Sequence, residues 1–369
     1  MSNTTVNQDR PELDKAIQEI VDAGLTGVQL RVNDEQGEWV GSAGLAELGG
    51  SASPPVDGYV RIGSNTKTFT AVVVLGLVAE GRIDLDASAA GYLTGLALDP
   101  RITVRMLLQH TSGVFNFTGE YYEDGTVAHG SVIPYGATGR EWLDLRFHTY
   151  APRELAELAL AKPARFEPGE GWSYSNTNYV LARLLVEQVT GSSLGEEMRR
   201  LVFEPLGMTD TIVPDASPEI PEPHAHAYYR YEEDGEQRTV DITRLNPSWI
   251  STGGDMISTT RDLHTFISGL LRGRLLSAPL LTDMCTGRPT VIPNMDYGLG
   301  VFVVTTDNGT LISHNGGATG HAALLYSTPD GTKTLTGALN YVDDAAMALA
   351  GAFQEATQKL IKDVFGRQA

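Results

Sequence analysis

A chain of 369 residues with 41% hydrophobic residues is long enough to bury a large core and should form two packed lobes. Its net charge of −19 argues against binding to nucleic acid or to an anionic membrane, since both need basic patches, and weakly favours cationic or amine-bearing substrates. The one cysteine, Cys285, excludes an internal disulfide, and we interpret it as an inert packed thiol.

No stretch of about eighteen apolar residues occurs, so no segment is predicted to span a membrane. The first ten residues are polar and include Asp9, and they lack the basic and apolar regions of a secretory signal. We therefore expect a cytoplasmic protein, although the sequence also fits a secreted protein whose signal has been removed.

The N-terminal part is predicted to form two helices and two strands. Apolar residues at helical spacing predict a helix from Pro11 to Ala23. Alternating apolar residues predict a strand at 28–32 and a returning strand that begins at Trp39. A strongly apolar run at 66–80 then predicts a buried helix with Ser64 at its entrance.

The rest of the chain divides into a helical middle and a strand-rich end. Apolar periodicity in the middle predicts helices at 151–161, 177–190 and 194–202. Short apolar runs separated by turn sequences predict strands at 300–305, 310–315, 322–328 and 333–340, followed by an amphipathic helix at 343–364.

This order of elements predicts an α+β fold, in which an antiparallel sheet is built from both termini and flanked by helices. We expect residues 1–82 and 255–369 to form the sheet lobe and residues 83–254 to form an inserted, mostly helical lobe. A cleft between the two lobes is the natural place for a site.

Ser64 and Lys67 are the first candidate catalytic pair. A serine and a lysine three residues apart at a helix start lie one turn apart on one face. The helix N-terminus also offers free backbone N–H groups to a developing oxyanion. By itself the pair fits a serine N-cap with an exposed lysine equally well.

Two later polar segments carry further candidates. The segment Tyr174–Asn176 lies in a polar loop that enters a predicted helix, where capping alone would explain it. The segment His314–Gly317 ends a predicted strand, and its two glycines allow the backbone to approach a ligand closely. Taken singly, His314 is more often a structural histidine.

Together, and in this order, the three segments resemble those of the serine penicillin-recognising enzymes, which include class C β-lactamases, DD-peptidases and related esterases and amidases. That family carries Ser-x-x-Lys at a helix start, Tyr-x-Asn in the helical lobe and Lys-Thr-Gly or His-x-Gly on a strand. The likeness extends from about Leu13 to Leu360 and is closest to the soluble Streptomyces-type D-alanyl-D-alanine carboxypeptidase. It implies a β-lactamase/transpeptidase-like fold.

The resemblance implies that Ser64 is the nucleophile of a covalent acyl-enzyme. Lys67 and Tyr174 would share the proton transfers, for which each needs a pKa below its reference value of about 10. Lys67 and His314 would supply the positive charge that lowers the pKa of the tyrosine.

The resemblance also implies the groups that bind the substrate. Asn176 would orient the substrate amide, and the backbone N–H groups of Ser64 and Gly317 would form the oxyanion hole. The residues expected to contact the substrate are Tyr121, Trp249, Phe302, Asn315 and Gly316. No metal or cofactor is expected, because His224 and His226 have no third ligand placed with them.

Two departures from the carboxypeptidase pattern bear on the substrate. That pattern binds a terminal carboxylate with an arginine and two hydroxyl residues, but here Phe302, Asn315 and Gly317 stand at those positions. An ester, an amide or a neutral acyl group therefore fits better than a free carboxylate. The segment 118–146 is also longer than expected and is predicted to line or cover the cleft, or else to be a surface excursion.

Three functions follow as alternatives. The first is a serine acyl-enzyme hydrolase or acyltransferase that acts on a small-molecule ester or amide, with a D-amino-acyl or natural-product acyl group. The second is a β-lactamase or D-alanyl-D-alanine carboxypeptidase, which the missing carboxylate clamp disfavours. The third is a non-catalytic binding module, which would be expected to have lost the serine, the lysine or the tyrosine.

Overall fold

The computed structural model describes residues 9–122, 126–131 and 137–366. The α-helices of these residues are α1 (Pro11–Asp22), α2 (Thr66–Ala79), α3 (Ala89–Tyr92), α4 (Val104–Leu108), α5 (Gly139–Leu145), α6 (Pro152–Leu160), α7 (Asn176–Thr190), α8 (Leu194–Met198), α9 (Glu204–Leu206), α10 (Thr260–Leu271), α11 (Ala278–Met284) and α12 (Ala350–Phe365). Among the described residues, no helix combines the length and the apolar composition needed to cross a bilayer.

The strands lie mostly toward the two ends of the chain. They are β1 (Gly27–Asp34), β2 (Gly37–Gly44), β3 (Val60–Arg61), β4 (Gly119–Tyr121), β5 (Val127–His129), β6 (Tyr228–Glu233), β7 (Glu236–Asp241), β8 (Ile257–Ser258), β9 (Arg288–Pro289), β10 (Met295–Tyr297), β11 (Phe302–Thr306), β12 (Gly309–Ser313), β13 (Gly316–Ala318), β14 (His321–Ser327), β15 (Thr334–Asn340) and β16 (Val342–Asp344). Short 3-10 helices at Gly63–Asn65, Pro247–Trp249 and Ser251–Gly253 precede or follow them.

The main sheet joins the two ends of the chain. Its strand order is β2-β1-β15-β14-β12-β11-β10-β9, with β13 paired to β14. The N-terminal β1 and the C-terminal β15 run antiparallel side by side, with Val28 opposite Leu339. The predicted α+β fold with an antiparallel sheet built from both termini is therefore confirmed, whereas its division into two lobes at residues 83 and 254 stays a prediction.

Helices cover both faces of this sheet, because successive side chains of a strand point to opposite faces. On β14, Leu324 and Tyr326 pack in a core cluster with α1 and α12. The alternating Ala323 and Leu325 pack in a larger cluster that contains α2 and α10.

Helix α2 lies inside that larger cluster, as predicted. Every residue from Thr66 to Leu75 is buried, and the ring of Phe69 stacks on that of Phe266 with 3.6 Å between centroids. The 3-10 turn Gly63–Asn65 leads directly into the helix and holds Ser64. Packing on all sides fixes the position of the helix and of the side chains at its start.

The predicted helix at 343–364 begins later than expected. Val342–Asp344 forms β16, which pairs in parallel with β6, and Arg230 binds Asp344 at 2.6 Å. The helix starts only at Ala350. Pairing with a distant strand and a tertiary ion pair, which local periodicity does not reveal, outweigh the helical pattern here.

The β6–β7 hairpin was not predicted, because this middle part of the chain was expected to be helical. Its turn contains Asp234 and Gly235, both with positive φ (54° and 78°). An Asp-Gly pair between two strands is a strong hairpin sequence. The dipeptide was therefore available in the sequence as an indication of this element.

Candidate active site

Ser64 and Lys67 lie together at the start of α2. Lys67 Nζ is 3.1 Å from Ser64 Oγ, in hydrogen-bond range. Lys67 is fully buried, whereas Ser64 is partly exposed and so can meet a substrate. The helical spacing therefore produces the contact that the sequence predicted.

Two further oxygen atoms hold the amino group of Lys67. Nζ donates to Asn176 Oδ1 at 2.7 Å and to the backbone carbonyl of Gly253. These two oxygens can only accept, so a neutral amine that donates to both of them directs its lone pair at the hydroxyl of Ser64. Burial lowers the pKa of Lys67 well below its ordinary value, and the negative charge of Asp255 opposes this shift. The arrangement can therefore take the proton from Ser64.

Tyr174 lies beside this pair. Lys67 Nζ is 4.7 Å from the centroid of the Tyr174 ring. The ring also packs on that of His110, with 4.4 Å between centroids. His110 Nδ1 accepts from the backbone N–H of Ser175, so this buried histidine fixes the loop just ahead of α7.

Asn176, the first residue of α7, contacts protein groups with both ends of its amide. Oδ1 accepts from Lys67, and Nδ2 donates to Thr118 Oγ1 at 3.0 Å. Its backbone N–H donates to Asn116 Oδ1, also at 3.0 Å. In the structure the Asn176 amide positions Lys67, and its predicted role in orienting the substrate amide stays a prediction.

A polar network that the sequence analysis missed supports Asn176. Thr118 Oγ1 donates to Asn116 Oδ1 at 2.9 Å, and the backbone N–H of Asn116 donates to the buried Glu120 carboxylate at 2.9 Å. Arg165 pairs with that carboxylate. Polar residues occupy every second position here, at Asn116, Thr118 and Glu120. This alternation could have indicated that they share one face of the chain.

The glycines of β13 pack against the turn that carries Ser64. A β-carbon added at Gly316 would lie 2.8 Å from the backbone nitrogen of Ser64, and one added at Gly63 would lie 2.5 Å from that of Gly317. A β-carbon at Gly317 would meet nothing within 4 Å, so this side of the strand faces open space. The contact brings the backbones of Ser64 and Gly317 together, as an oxyanion hole requires.

His314 does not supply the positive charge that the sequence predicted. Its Nδ1 donates to the carbonyl of Asn315 at 2.9 Å, so Nε2 accepts from the hydroxyl of Tyr297 at 3.2 Å. Complete burial lowers the pKa of His314 to about 3. The imidazole is therefore neutral, and that prediction is wrong.

Phe302 and Asn315 lie around this histidine. The Phe302 ring packs edge-on against the Tyr297 ring, with 4.6 Å between centroids, and is 5.4 Å from the His314 ring. Asn315 donates from Nδ2 to the hydroxyl of Tyr326. An aromatic side chain thus lies beside His314.

Two further residues, Trp249 and Tyr121, were also predicted to contact the substrate. Trp249 ends a 3-10 helix four residues before Gly253 and is only 7% exposed, so it packs mainly in the core. The backbone of Tyr121 forms the end of β4, but its side chain is outside the part of the chain that the structure describes. Parts of the predicted cleft-covering segment, 123–125 and 132–136, also lie outside them.

The cysteine and the histidine pair that were noted in the sequence are not part of this site. Burial raises the pKa of Cys285 to about 11, which suppresses its thiolate form. His226 pairs with Asp241, and His224 Nδ1 lies 3.0 Å from the carbonyl of Pro221. Within the described ranges, no three metal-binding side chains come together.

Residues 13–353 match the family model described as Beta-lactamase. The crystal structure of a D-stereospecific amidohydrolase from Streptomyces sp. is similar with a TM-score of 0.83 and 35% identity, over 98% of this chain and 100% of that chain.

Two curated proteins are similar in sequence. Penicillin-binding protein 4* of Bacillus subtilis is 27% identical over 317 residues, which is 82% of this chain but 65% of that protein. Lovastatin esterase of Penicillium rubens is 28% identical over 315 residues, which is 77% of this chain and 71% of that protein. The chain thus spans about two thirds of the length of these relatives.

Proposed function

This chain belongs to the β-lactamase family and is a hydrolase of the serine type of that family, and we propose that it cleaves an ester or amide through an acyl-enzyme on Ser64. The observation that carries the proposal is the 3.1 Å contact between Lys67 Nζ and Ser64 Oγ. The carbonyl oxygens of Asn176 and Gly253 can only accept from that amine, so its lone pair is available to the Ser64 hydroxyl.

Acylation begins when Ser64 Oγ gives its proton to Lys67 Nζ and bonds to the acyl carbon. The backbone N–H groups of Ser64 and Gly317 stabilise the oxyanion of the tetrahedral intermediate, each by roughly 3–4 kcal/mol. When the intermediate collapses, the bond from carbon to the leaving nitrogen or oxygen breaks. The proton held by Lys67 passes through the Tyr174 hydroxyl to the leaving group.

Deacylation repeats these steps with water as the nucleophile. Water loses a proton to Lys67 and attacks the ester carbon, and the carbon–Ser64 Oγ bond then breaks. Ser64 Oγ takes back the proton, and the carboxylic acid leaves. An amine that entered in place of water would receive the acyl group, which makes transfer the alternative outcome of the same acyl-enzyme.

A D-amino-acyl amide is the substrate class that we propose first. The Streptomyces relative, named as a D-stereospecific amidohydrolase, aligns over nearly the whole of both chains. The net charge of −19 favours a substrate with a free ammonium group, such as an amino acid amide. Phe302, at the arginine position of the carboxypeptidase pattern, disfavours a substrate with a free carboxylate.

Ester hydrolysis is the second candidate, and the same Phe302 favours it. Its ring packs on Tyr297. It therefore offers an apolar surface, and not a charge, to the part of a substrate that binds beside His314. An uncharged ester fits such a surface, and a fungal esterase is among the relatives.

The proposal is tested by intact-protein and peptide mass spectrometry after brief incubation with phenyl acetate, D-phenylalanine amide or L-phenylalanine amide. We expect the acyl group on the peptide that contains Ser64, and faster turnover of the D-amide than of the L-amide. Ser64→Ala should lower turnover by about 10⁴-fold or more, whereas Ser217→Ala, at an exposed serine, should not change it. An adduct on another residue, or full turnover by Ser64→Ala, would falsify the proposal.

A further inference from the structure

Asp255 is a buried carboxyl group that the mechanism above does not use. Its side chain is 0% exposed, and an Arg183 nitrogen lies 3.9 Å from one of its oxygens. Neither carboxyl oxygen has a hydrogen-bond partner among the residues that the structure describes. Burying a carboxyl group with so few partners costs free energy, so a compensating role is expected at this position.

Asp255 is joined to the active site through its own segment of chain. The carbonyl of Gly253, two residues earlier, accepts from Lys67 Nζ. Gly254 packs on the turn of the nucleophile, since a β-carbon added there would lie 3.1 Å from the carbonyl carbon of Gly63. A change in the charge of Asp255 therefore occurs two residues from the carbonyl that binds Lys67.

The negative charge of Asp255 acts on three basic side chains that come from different elements. It favours the charged forms of Lys67 on α2, Arg61 on β3 and Arg183 on α7. Arg61 makes its hydrogen bonds to backbone carbonyls, which carry no full charge. Asp255 thus supplies a shared negative charge to these three basic side chains.

We infer that Asp255 is a positioning residue whose carboxylate stabilises the ammonium form of Lys67 and so sets the basicity of the amine that activates Ser64. This inference rests on the proposed role of Lys67 as the base. Ser64 can give up its proton only if the resulting ammonium ion is stabilised in the buried site, and the carboxylate supplies an opposite charge for it.

Among the described residues, the other titratable side chains that face Lys67 are phenols and imidazoles, not carboxyl groups. The rings of Tyr174 and Tyr179 lie 4.7 Å and 5.6 Å from Nζ. His110 and His314 face Lys67, and burial lowers the pKa of both far enough to keep them neutral. Arg183 and Asp215 face Asp255, with opposite effects on its ionisation. Burial raises the pKa of Asp255 itself to about 7, and the charges of Arg183 and Lys67 oppose that rise.

The test is the pH dependence of kcat/KM for phenyl acetate, a substrate without a titrating group, from about pH 5 to pH 10. In Asp255→Asn the ammonium of Lys67 loses its counter-charge, so the acidic limb should move to lower pH by about one unit. The loss of basicity should lower kcat above that limb more than it changes KM. Asp255→Glu, which keeps the charge, should return the limb toward its original position.

Asp262→Asn is the matched control. Asp262 is also a buried carboxyl group, but it binds Thr211 Oγ1 at 2.7 Å and the backbone N–H of Asp210 at 2.9 Å, away from Lys67. Its replacement should leave the acidic limb unmoved. If Asp255→Asn does not fold, Asp255→Ser takes its place, because it also removes the charge.

The inference would be overturned if a folded, uncharged Asp255 variant kept the acidic limb of its pH profile at the wild-type pH. That result would indicate a structural role alone, even if the activity of the variant were low. Failure of the proposed function is recognised separately. It would appear as the absence of an acyl adduct on Ser64 in the unaltered enzyme, whatever the Asp255 variants do.

Discussion

Gly316 packs so closely on Ile62 that a β-carbon at residue 316 would lie 1.8 Å from the carbonyl oxygen of Ile62. This contact holds β13 against the turn that carries Ser64. The glycine was noted in the sequence as a residue that permits close approach to a ligand. The structure indicates that it permits close approach of two parts of the backbone, and this approach brings Ser64 and Gly317 together.

We predict that Gly316→Ala separates these two backbones and so disrupts the oxyanion hole that we propose they form. Because the clash is with a backbone atom, it can be relieved only by movement of β13, so kcat should fall by at least about 100-fold, with a loss of roughly 1–3 kcal/mol in the free energy of unfolding. Turnover of phenyl acetate and urea denaturation measure the two effects. Gly351→Ala, in α12 with no atom within 4 Å of the added carbon, is the control and should retain activity.

The parts of the site that the sequence predicted are those that depend on local spacing or on the order of motifs. Ser64 and Lys67 meet because they are three residues apart at the start of a helix. The β-lactamase/transpeptidase-like fold, confirmed by the solved structure of a relative, could be predicted because three separate motifs occur in the order typical of the family.

The parts that were missed depend on burial and on contacts between distant segments. The neutrality of His314 follows from its complete burial and from Tyr297, neither of which its neighbours in the sequence reveal. The role inferred for Asp255 likewise depends on basic side chains from three other elements. Asn176 was identified as a site residue, but its partner Thr118, 58 positions away, decides what its amide binds.

Removal of the Asn176 amide should misplace Lys67 rather than weaken substrate binding. We predict that Asn176→Ala lowers kcat by about 10- to 100-fold with little change in KM, because Nζ loses an acceptor that fixes the direction of its lone pair. Steady-state kinetics with phenyl acetate would measure this. Asn340→Ala, which removes another buried amide far from Lys67 in the sequence, should lower stability without this loss of kcat. A rise in KM with kcat unchanged would instead support direct contact between Asn176 and the substrate.

Acid should destabilise the protein through its buried histidines. Burial lowers the pKa of both His314 and His321 to about 3 in the folded protein, whereas the unfolded chain has an ordinary value of 6.5. The unfolded state therefore binds protons that the folded state cannot, so this contribution to stability is complete above about pH 6.5 and is lost progressively as the pH falls toward 3. At pH 5 the loss should be about 2 kcal/mol for each histidine.

This prediction is checked by denaturant unfolding at pH 7.5 and pH 5 in the wild type and in His321→Asn. The variant removes one titrating group and should lose less stability between the two pH values than the wild type does, whatever its stability at pH 7.5. Buried carboxyl groups such as Asp343, whose pKa burial raises to about 6, act in the opposite direction. They are common to both proteins and cancel in the comparison, so an equal loss in the two proteins would contradict the prediction.

The position of Phe302 offers a test of substrate choice. If the aromatic ring excludes a terminal carboxylate, Phe302→Arg should improve cleavage of a peptide that ends in a free carboxylate relative to the same peptide amide. A change of about tenfold in the ratio of the two kcat/KM values is expected from one new charge-assisted hydrogen bond. Phe302→Leu removes the ring without adding a charge, and it should weaken selectivity without favouring the carboxylate. A ratio that moved equally in both variants would mean that packing on Tyr297, and not the missing charge, controls the choice.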